Sequence, residues 1–298
     1  VNNRILAILA AIGASTIYGI NHTLAKDVMP TYVQPYGFIL LRVVGAAILF
    51  WSLSFLKTSQ KIKKEDWPRL IACAICGMVI NMLFFFKGLS LSTPINSSVI
   101  ITLSPVMVLL LGAIILRERI TLLKIAGIIV GLIGALILVF FSSSTSTNAP
   151  NIPLGNILFI VNAFSFGLYL ILVKPLTAKY DAITLMKWLF LIATIINLPI
   201  TIGEFNEIVW KEIPTVVLWQ IAFVVVATTF MTYLLNIFAI KHLSASTLSV
   251  FMYLQPLVAI IYATSVGADQ LNLVKIVAGL FVFTGVYMVT KKKTVTTN

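Results

Sequence analysis

The sequence predicts an all-α integral membrane protein, with ten transmembrane helices arranged as two inverted five-helix repeats. Three observations carry that expectation. Of 298 residues, 60% are hydrophobic and 10% charged, and mean hydropathy is +1.06, a balance that leaves too little polar surface for a water-soluble domain. The apolar residues gather in runs of roughly 20, the length a helix rising ~1.5 Å per residue needs to cross a hydrocarbon core about 30 Å thick. Two long segments also repeat at an offset of 151 residues. Barrel strands would be about half as long and would alternate apolar with polar; these runs do not alternate.

The first span, 4–25, opens on Arg4 and a Leu/Ala run that could pass for a secretory leader. Its apolar character continues too far, and no small-residue cleavage site precedes Ser15, so it is expected to remain as a span. Span two, 33–56, holds Arg42 inside LLRVVGAAILF, and Pro35 suits a first helical position. Span three, 68–88, carries Cys73 and Cys76; span four, 94–115, contains Pro105; span five, 120–141, carries Gly127, Gly131 and Gly134. The polar stretch SSSTSTNAPNIP, 142–153, reads as a linker. Spans six to ten follow at 154–173, 183–203, 215–238, 244–266 and 272–290, the ninth with Pro256, and 291–298 form a basic cytoplasmic tail. Residues 1–141 and 154–290 are the two expected repeats.

Lysine and arginine set the orientation, because cytoplasmic loops retain them. With the amino terminus inside, sixteen of the 21 fall in inner segments and three, Lys26, Lys211 and Lys275, in outer ones, while Arg42 and Lys87 stay within spans. Both termini are therefore expected in the cytoplasm, and the protein in the inner (plasma) membrane. The net charge of +12 is spread over successive inner loops with no basic, aromatic-interleaved patch, which argues against nucleic acid as a partner.

The repeat is visible in GLSLSTPINSSVIITLSPV, Gly88 to Val106, and AIKHLSASTLSVFMYLQPL, Ala239 to Leu257. The offset that takes Pro105 to Pro256 also takes Glu118 to Asp269, Lys124 to Lys275 and Gly134 to Gly285. Gly19 and Lys26 fall more loosely on Gly167 and Lys174, at an offset of 148. Five spans per unit is odd, so the second unit must lie upside down. Consistent with inversion, the turn RERI, Arg117 to Ile120, keeps two arginines, whereas its counterpart ADQL, Ala268 to Leu271, has none. Inverted repeats with an interface between them are the architecture of alternating-access transporters.

With Tyr18-Gly19 in the first helix, Arg42 early in the second and the duplicated small-residue-to-proline segments, the chain resembles the ten-helix, EamA-type branch of the drug/metabolite transporter superfamily. Each duplicated segment is followed by an acidic turn and a glycine-bearing helix, GIIVGLIGALIL and GLFVFTGVYMV. The resemblance implies a basket-like fold with a central cavity lined by helices 1, 3, 4, 6, 8 and 9. It also implies export of small metabolites, often amino acids.

Among candidate site residues, Arg42 stands out because a charge near mid-bilayer costs about 2.5–3.5 kcal/mol on insertion scales. All nine acids fall in or beside loops. Arg42 must then use backbone carbonyls, interfacial water and headgroups, or an anionic group on the substrate; capping or snorkelling and direct substrate contact stand side by side. Lys87, after NMLFFF, either reaches headgroups or meets a carboxylate at the cavity mouth. Asn21 and His22 lie near the outer end of helix 1, His22 expected as a neutral, hydrogen-bonded ring. Pro105 and Pro256 each free a carbonyl four residues back and would kink two helices at matching depth, as packing features or gates. Thr102, Ser104, Tyr253 and Gln255 surround them, and Asn81, Asn96, Asn162, Tyr169, Tyr233 and Asn236 are further polar residues deep in spans. Each polar residue is individually more often an interhelical hydrogen bond, but together they predict a wet interior with Tyr18 and Phe85 among its walls.

Other motifs carry no chemistry. Cys73 and Cys76 sit at i, i+3 inside a span and are the sole cysteines, so no redox or metal site is expected. The glycine series in span five reads as helix packing. No nucleophile triad, zinc motif or carboxylate cluster occurs, so neither enzyme activity nor a cofactor is expected. The expected function is secondary transport of a small amphipathic metabolite, an amino-acid-like compound first, by a protein whose partners are that substrate and the bilayer and for which one copy suffices. A receptor or signalling protein, or a channel without alternating access, is the alternative.

Overall fold

The computed structural model describes residues 3–55, 60–116, 122–141, 149–243, 248, 251–252 and 254–290. The RERI turn, most of the linker, the basic tail and Tyr253 lie outside the described residues. All described secondary structure is helical. In order, the α-helices are α1 (Asn3–Val28), α2 (Pro35–Phe55), α3 (Trp67–Ala74), α4 (Asn81–Leu91), α5 (Pro94–Ile101), α6 (Ser104–Leu116), α7 (Leu122–Phe141), α8 (Ile152–Lys179), α9 (Ala182–Asn206), α10 (Thr215–Phe223), α11 (Thr232–His242), α12 (Leu254–Ser265) and α13 (Leu273–Thr290). Two π-helical segments, Ile75–Ile80 and Val224–Met231, join α3 to α4 and α10 to α11.

Seven helical stretches, among them Lys64–Leu91 and Thr215–His242, are long and apolar enough to cross a membrane, and shorter apolar helices occur at Ile125–Gly134, Leu254–Ser265 and Leu273–Gly285. Every expected span carries helix. Several helices outrun their spans: the sixth runs through Pro175 to Lys179 instead of stopping at 173. Hydropathy marks the hydrocarbon, whereas backbone hydrogen bonding continues into the interface.

Local chemistry sets the starts. Thr93 accepts from the Asn96 amide at 3.3 Å ahead of Pro94, Asn151 from Leu154 at 3.2 Å, and Asp181 from Thr184 at 3.0 Å. Each side chain satisfies one of the donors that a helix leaves free in its first turn.

In lipid, helices associate through close packing and small residues, and here the packing reproduces itself at the sequence offsets. A Cβ added to Gly134 would lie 2.7 Å from the Ala278 carbonyl and 2.8 Å from Val282. The residues 151 earlier than these, Gly127 and Gly131, are the ones a Cβ at Gly285 would meet. So α7 and α13 cross glycine on glycine. A Cβ at Gly19 would press on Gln255 and Val258, and one at Gly167 on Met107 and Val108, so α1 meets the ninth span as α8 meets the fourth. Gly88 and Gly155 allow α4 and α8 to touch; their counterparts Ala239 and Ala7 pack together where α11 meets α1. The largest remaining contact is α2 against α9.

The π segments obey the same offset: Ile75–Ile80 corresponds to 226–231, inside Val224–Met231. The breaks before the prolines fall within one residue of that offset. α5 ends at Ile101, turns through Thr102 and Leu103, and resumes as α6 at Ser104; the ninth span turns at Met252 before α12. Helix-tightening bonds from Thr102 N to Val99 O, 3.1 Å, and from Gln255 N to Met252 O, 3.1 Å, hold the breaks.

Candidate functional site

The strongest constellation lies where α1, α2, α4, α8 and the two π segments converge. Arg42 is 5% exposed. Its Nε donates to Thr229 Oγ1 at 2.8 Å, and its guanidinium carbon lies 4.5 Å from the centre of the Phe86 ring. The Thr229 hydroxyl in turn donates to Val224 O, five residues back, at 2.8 Å. A threonine in a π segment thus spends its proton on its own backbone and its lone pair on the arginine. Among the described residues its partners are thus side chains, not the backbone carbonyls expected at Arg42; a hydroxyl and an aromatic face hold it, as a cation over a ring quadrupole allows. No carboxylate among the described residues pairs with it.

The first π segment supplies the facing wall. Tyr233 donates to Gly77 O at 3.3 Å, and Ser165 to Cys76 O at 2.6 Å, a carbonyl that also accepts the Asn81 amide, so side chains from beyond residue 153 reach backbone carbonyls of the first π segment. The Tyr169 ring covers Gly77 so closely that an added Cβ would lie 2.5 Å from it. Asn81 and Asn162 clasp one another, Nδ2 of each reaching the other's carbonyl, at 3.5 Å and 2.7 Å. Asn236 donates to the Tyr18 hydroxyl at 3.5 Å. Tyr18, Arg42, Asn81, Asn162, Tyr169, Tyr233 and Asn236 therefore gather in one polar cluster between the units.

The remaining predicted residues fall elsewhere. His22 shares a 2.7 Å hydrogen bond with Ser97 and meets Phe85 edge-on. The Ser97 hydroxyl is also 2.9 Å from Pro94 O; if its proton goes there, Nδ1 of His22 is the donor. Asn96 donates to Asn156 Oδ1 at 3.4 Å, and Asn21 Oδ1 is buried without a hydrogen-bond partner. Lys87 lies 5.7 Å from the centre of the Tyr36 ring, away from the Arg42 cluster. Thr102 bonds back to Val99 O at 2.6 Å, Ser104 Oγ is buried and unpaired, and Gln255 lies against Gly19.

Charged groups close both ends of the bundle. At one end the Asp66 carboxylate accepts from Lys179 at 2.8 Å and from Tyr180 at 2.7 Å, while Tyr180 also takes the Lys63 amide at 3.0 Å. At the other, Glu204 accepts the Tyr36 and Gly37 amides at 2.5 and 3.1 Å, capping α2. Nearby, Asp269 pairs with Lys275 at 2.5 Å and caps α5 through the Ile95 amide at 3.2 Å. Lys26 donates to Leu89 O and Ser90 O at the end of α4. Asp66, Glu204 and Asp269 each tie one unit to the other.

Sequence reasoning passed over Thr229, Phe86, Ser97, Asn156 and Asn197. The tandem hydroxyls Ser97-Ser98 and Thr228-Thr229 were the available signal. Their partners depend on helix crossings that no single span encodes.

The fold and cluster define a polytopic helical membrane protein whose two units share a polar interior. A sequence model of the EamA-like transporter family matches residues 5–140 and again 153–291. The chain belongs to that family, in the drug/metabolite transporter superfamily. An uncharacterized transporter of Archaeoglobus fulgidus is 28% identical over 278 residues, 93% of this chain and 96% of its own. The uncharacterized transporter YyaM of Bacillus subtilis is 24% identical over 290 residues, 95% of each chain. A solved crystal structure superposes with a TM-score of 0.63 at 15% identity, covering 96% of both chains, and so shares the fold.

Proposed function

We infer that the protein is a secondary transporter of the inner membrane, both termini cytoplasmic, that exports a small amphipathic metabolite by rocking two inverted five-helix units about a central site. An amino-acid-like compound is the first candidate. The observation that carries this reading is the self-reproducing packing at offsets of 151 and 148 around a polar cluster to which both units contribute. Such a seam lets one unit tilt on the other while the site stays in place. Two family matches over 5–140 and 153–291 support the duplication, and the names of the relatives support transport.

In this reading the ends act as alternating locks. The Asp66, Lys179, Tyr180 group lies on the cytoplasmic side, and the Glu204 and Asp269 groups on the outer side. The breaks ahead of Pro105 and Pro256 provide the bending points.

Reconstitution in proteoliposomes tests the proposal. A transporter gives saturable uptake and counterflow; binding without flux would mark a receptor, and flux without saturation a channel. Pro256→Ala should slow turnover while ligand binding survives, and unchanged turnover would remove that break from the cycle.

A further inference from the structure

Arg42 carries five N–H donors, and one is used. Its terminal nitrogens hydrogen-bond nothing among the described residues, yet they are not sealed from solvent-sized space. The titratable side chains beside the guanidinium are the phenols of Tyr233 and Tyr18, and the amide of Asn236 reaches the Tyr18 hydroxyl. A second observation lies at the same depth. Helices α2 and α9 run antiparallel, with Glu204 against Tyr36 and Gly37 and Phe50 stacked on Phe190. That register puts Asn197 level with Val43, the residue that follows Arg42 in sequence. Asn197 is 0% exposed, and neither atom of its amide has a hydrogen-bond partner. Buried amides are nearly always paired, so Asn197 marks this level of the bundle as under-satisfied, and the Arg42 donors, open to solvent-sized space, are the groups there that a ligand can reach.

We propose, resting on the transporter reading, that the site recognises organic monoanions through Arg42 and that the protein works as an exchanger of them. The substrate's acid group supplies the counter-charge that no described residue gives Arg42, in the planar bidentate geometry a guanidinium favours. The aromatic residues Phe86, Tyr169 and Tyr233 suit an apolar body behind the acid. A cationic compound finds no carboxylate there.

The exchange mode follows from electrostatics. Each turnover must close the site off from water. An empty site closes around an unpaired cation, which is costly, whereas a loaded site closes around a neutral pair. The loaded protein therefore reorients faster than the empty one, and outward flux is coupled to a returning anion.

The test uses the purified full chain and three probes of one skeleton: N-acetylphenylalanine, a monoanion; N-acetylphenylalaninamide, neutral; and phenylalaninamide, a cation. Thermal stability in detergent should rise with the anion, little with the neutral compound and not with the cation. Arg42→Gln should weaken anion binding at least about tenfold, and Arg42→Lys should keep the charge order at lower affinity. In proteoliposomes, anion on the far side should accelerate efflux of labelled N-acetylphenylalanine at least about tenfold, a modest part of what an unpaired membrane charge costs. Equal or stronger stabilisation by the cation, no stabilisation by the anion, wild-type anion binding in a folded Arg42→Gln, or efflux indifferent to far-side anion would each overturn the proposal. Flux without charge order would overturn it and leave the transporter reading intact. Charge-ordered binding with no flux of any compound would instead remove the transporter reading, and with it the exchange mode.

Discussion

The crossing of α7 with α13 and the cluster around Arg42 both draw on the two stretches that the family model matches, 5–140 and 153–291, and they differ in symmetry. At the crossing, Gly134 and Gly285 occupy equivalent positions and make equivalent contacts. In the cluster the π segments are repeated but the key side chains are not. At the same offset, Arg42 corresponds to Ala193, Thr229 to Met78, Tyr233 to Met82 and Asn236 to Phe85. In the proposed cycle a scaffold that tilts two ways gains from symmetric contacts, because both arrangements then have similar energy. A site that binds an asymmetric molecule gains from losing that symmetry. On the proposed function, the difference separates residues that hold the units together from residues that choose what passes between them.

That separation can be broken by mutation, most severely at the crossing. Gly134→Leu should remove folded protein, because a side chain there meets backbone and cannot be absorbed by rotamer changes; overpacking costs typically 1–3 kcal/mol and more against backbone. Monodisperse yield on size-exclusion chromatography checks it. Gly112→Ala, with nothing within 4 Å, is the matched control and should behave as wild type.

Thr229→Val is the next largest. It keeps the shape, but strips the acceptor from Arg42 Nε and the donor from Val224 O, leaving buried polar groups that cost about 1–3 kcal/mol each. Thermal stability should fall and anion binding should weaken together, whereas Met78→Leu at the equivalent position should alter neither by much. A stable, fully binding Thr229→Val would show that Arg42 is held by other means.

Tyr233→Phe removes a single 3.3 Å bond to Gly77 O. Membrane hydrogen bonds average about 0.6 kcal/mol, so stability should barely change. A marked change in substrate preference at unchanged stability would place the Tyr233 hydroxyl in direct contact with ligand.

How much of this was legible in the sequence follows the same divide. The spans, the offset and the packing role of Gly127, Gly131 and Gly134 were readable because hydropathy and small-residue spacing are properties of one helix. Also readable was the lack of any acid in a span to pair with Arg42. Its actual partners were not. Thr229 holds it through a hydroxyl whose own acceptor lies five residues back, a spacing outside the 3.6-residue period on which helical reading rests. The clasp of Asn81 and Asn162 and the reach of Tyr233 to Gly77 arise from crossings between units. Likewise, Lys87 and His22 look equivalent to Arg42 as polar residues in apolar runs, yet one lies over Tyr36 and the other bonds Ser97.

The most direct test of the account is a pair of spin-label distances in a cysteine-free background, with Cys73 and Cys76 replaced. One pair, at Lys61 and Ala178, spans the Asp66 end; the other, at Thr31 and Glu207, spans the Glu204 end, and all four positions are exposed. As saturating N-acetylphenylalanine shifts the conformational equilibrium, one distance should lengthen as the other shortens. Two distances that change in the same direction, or that stay fixed in a protein shown to transport, would contradict a rocking seam between the units.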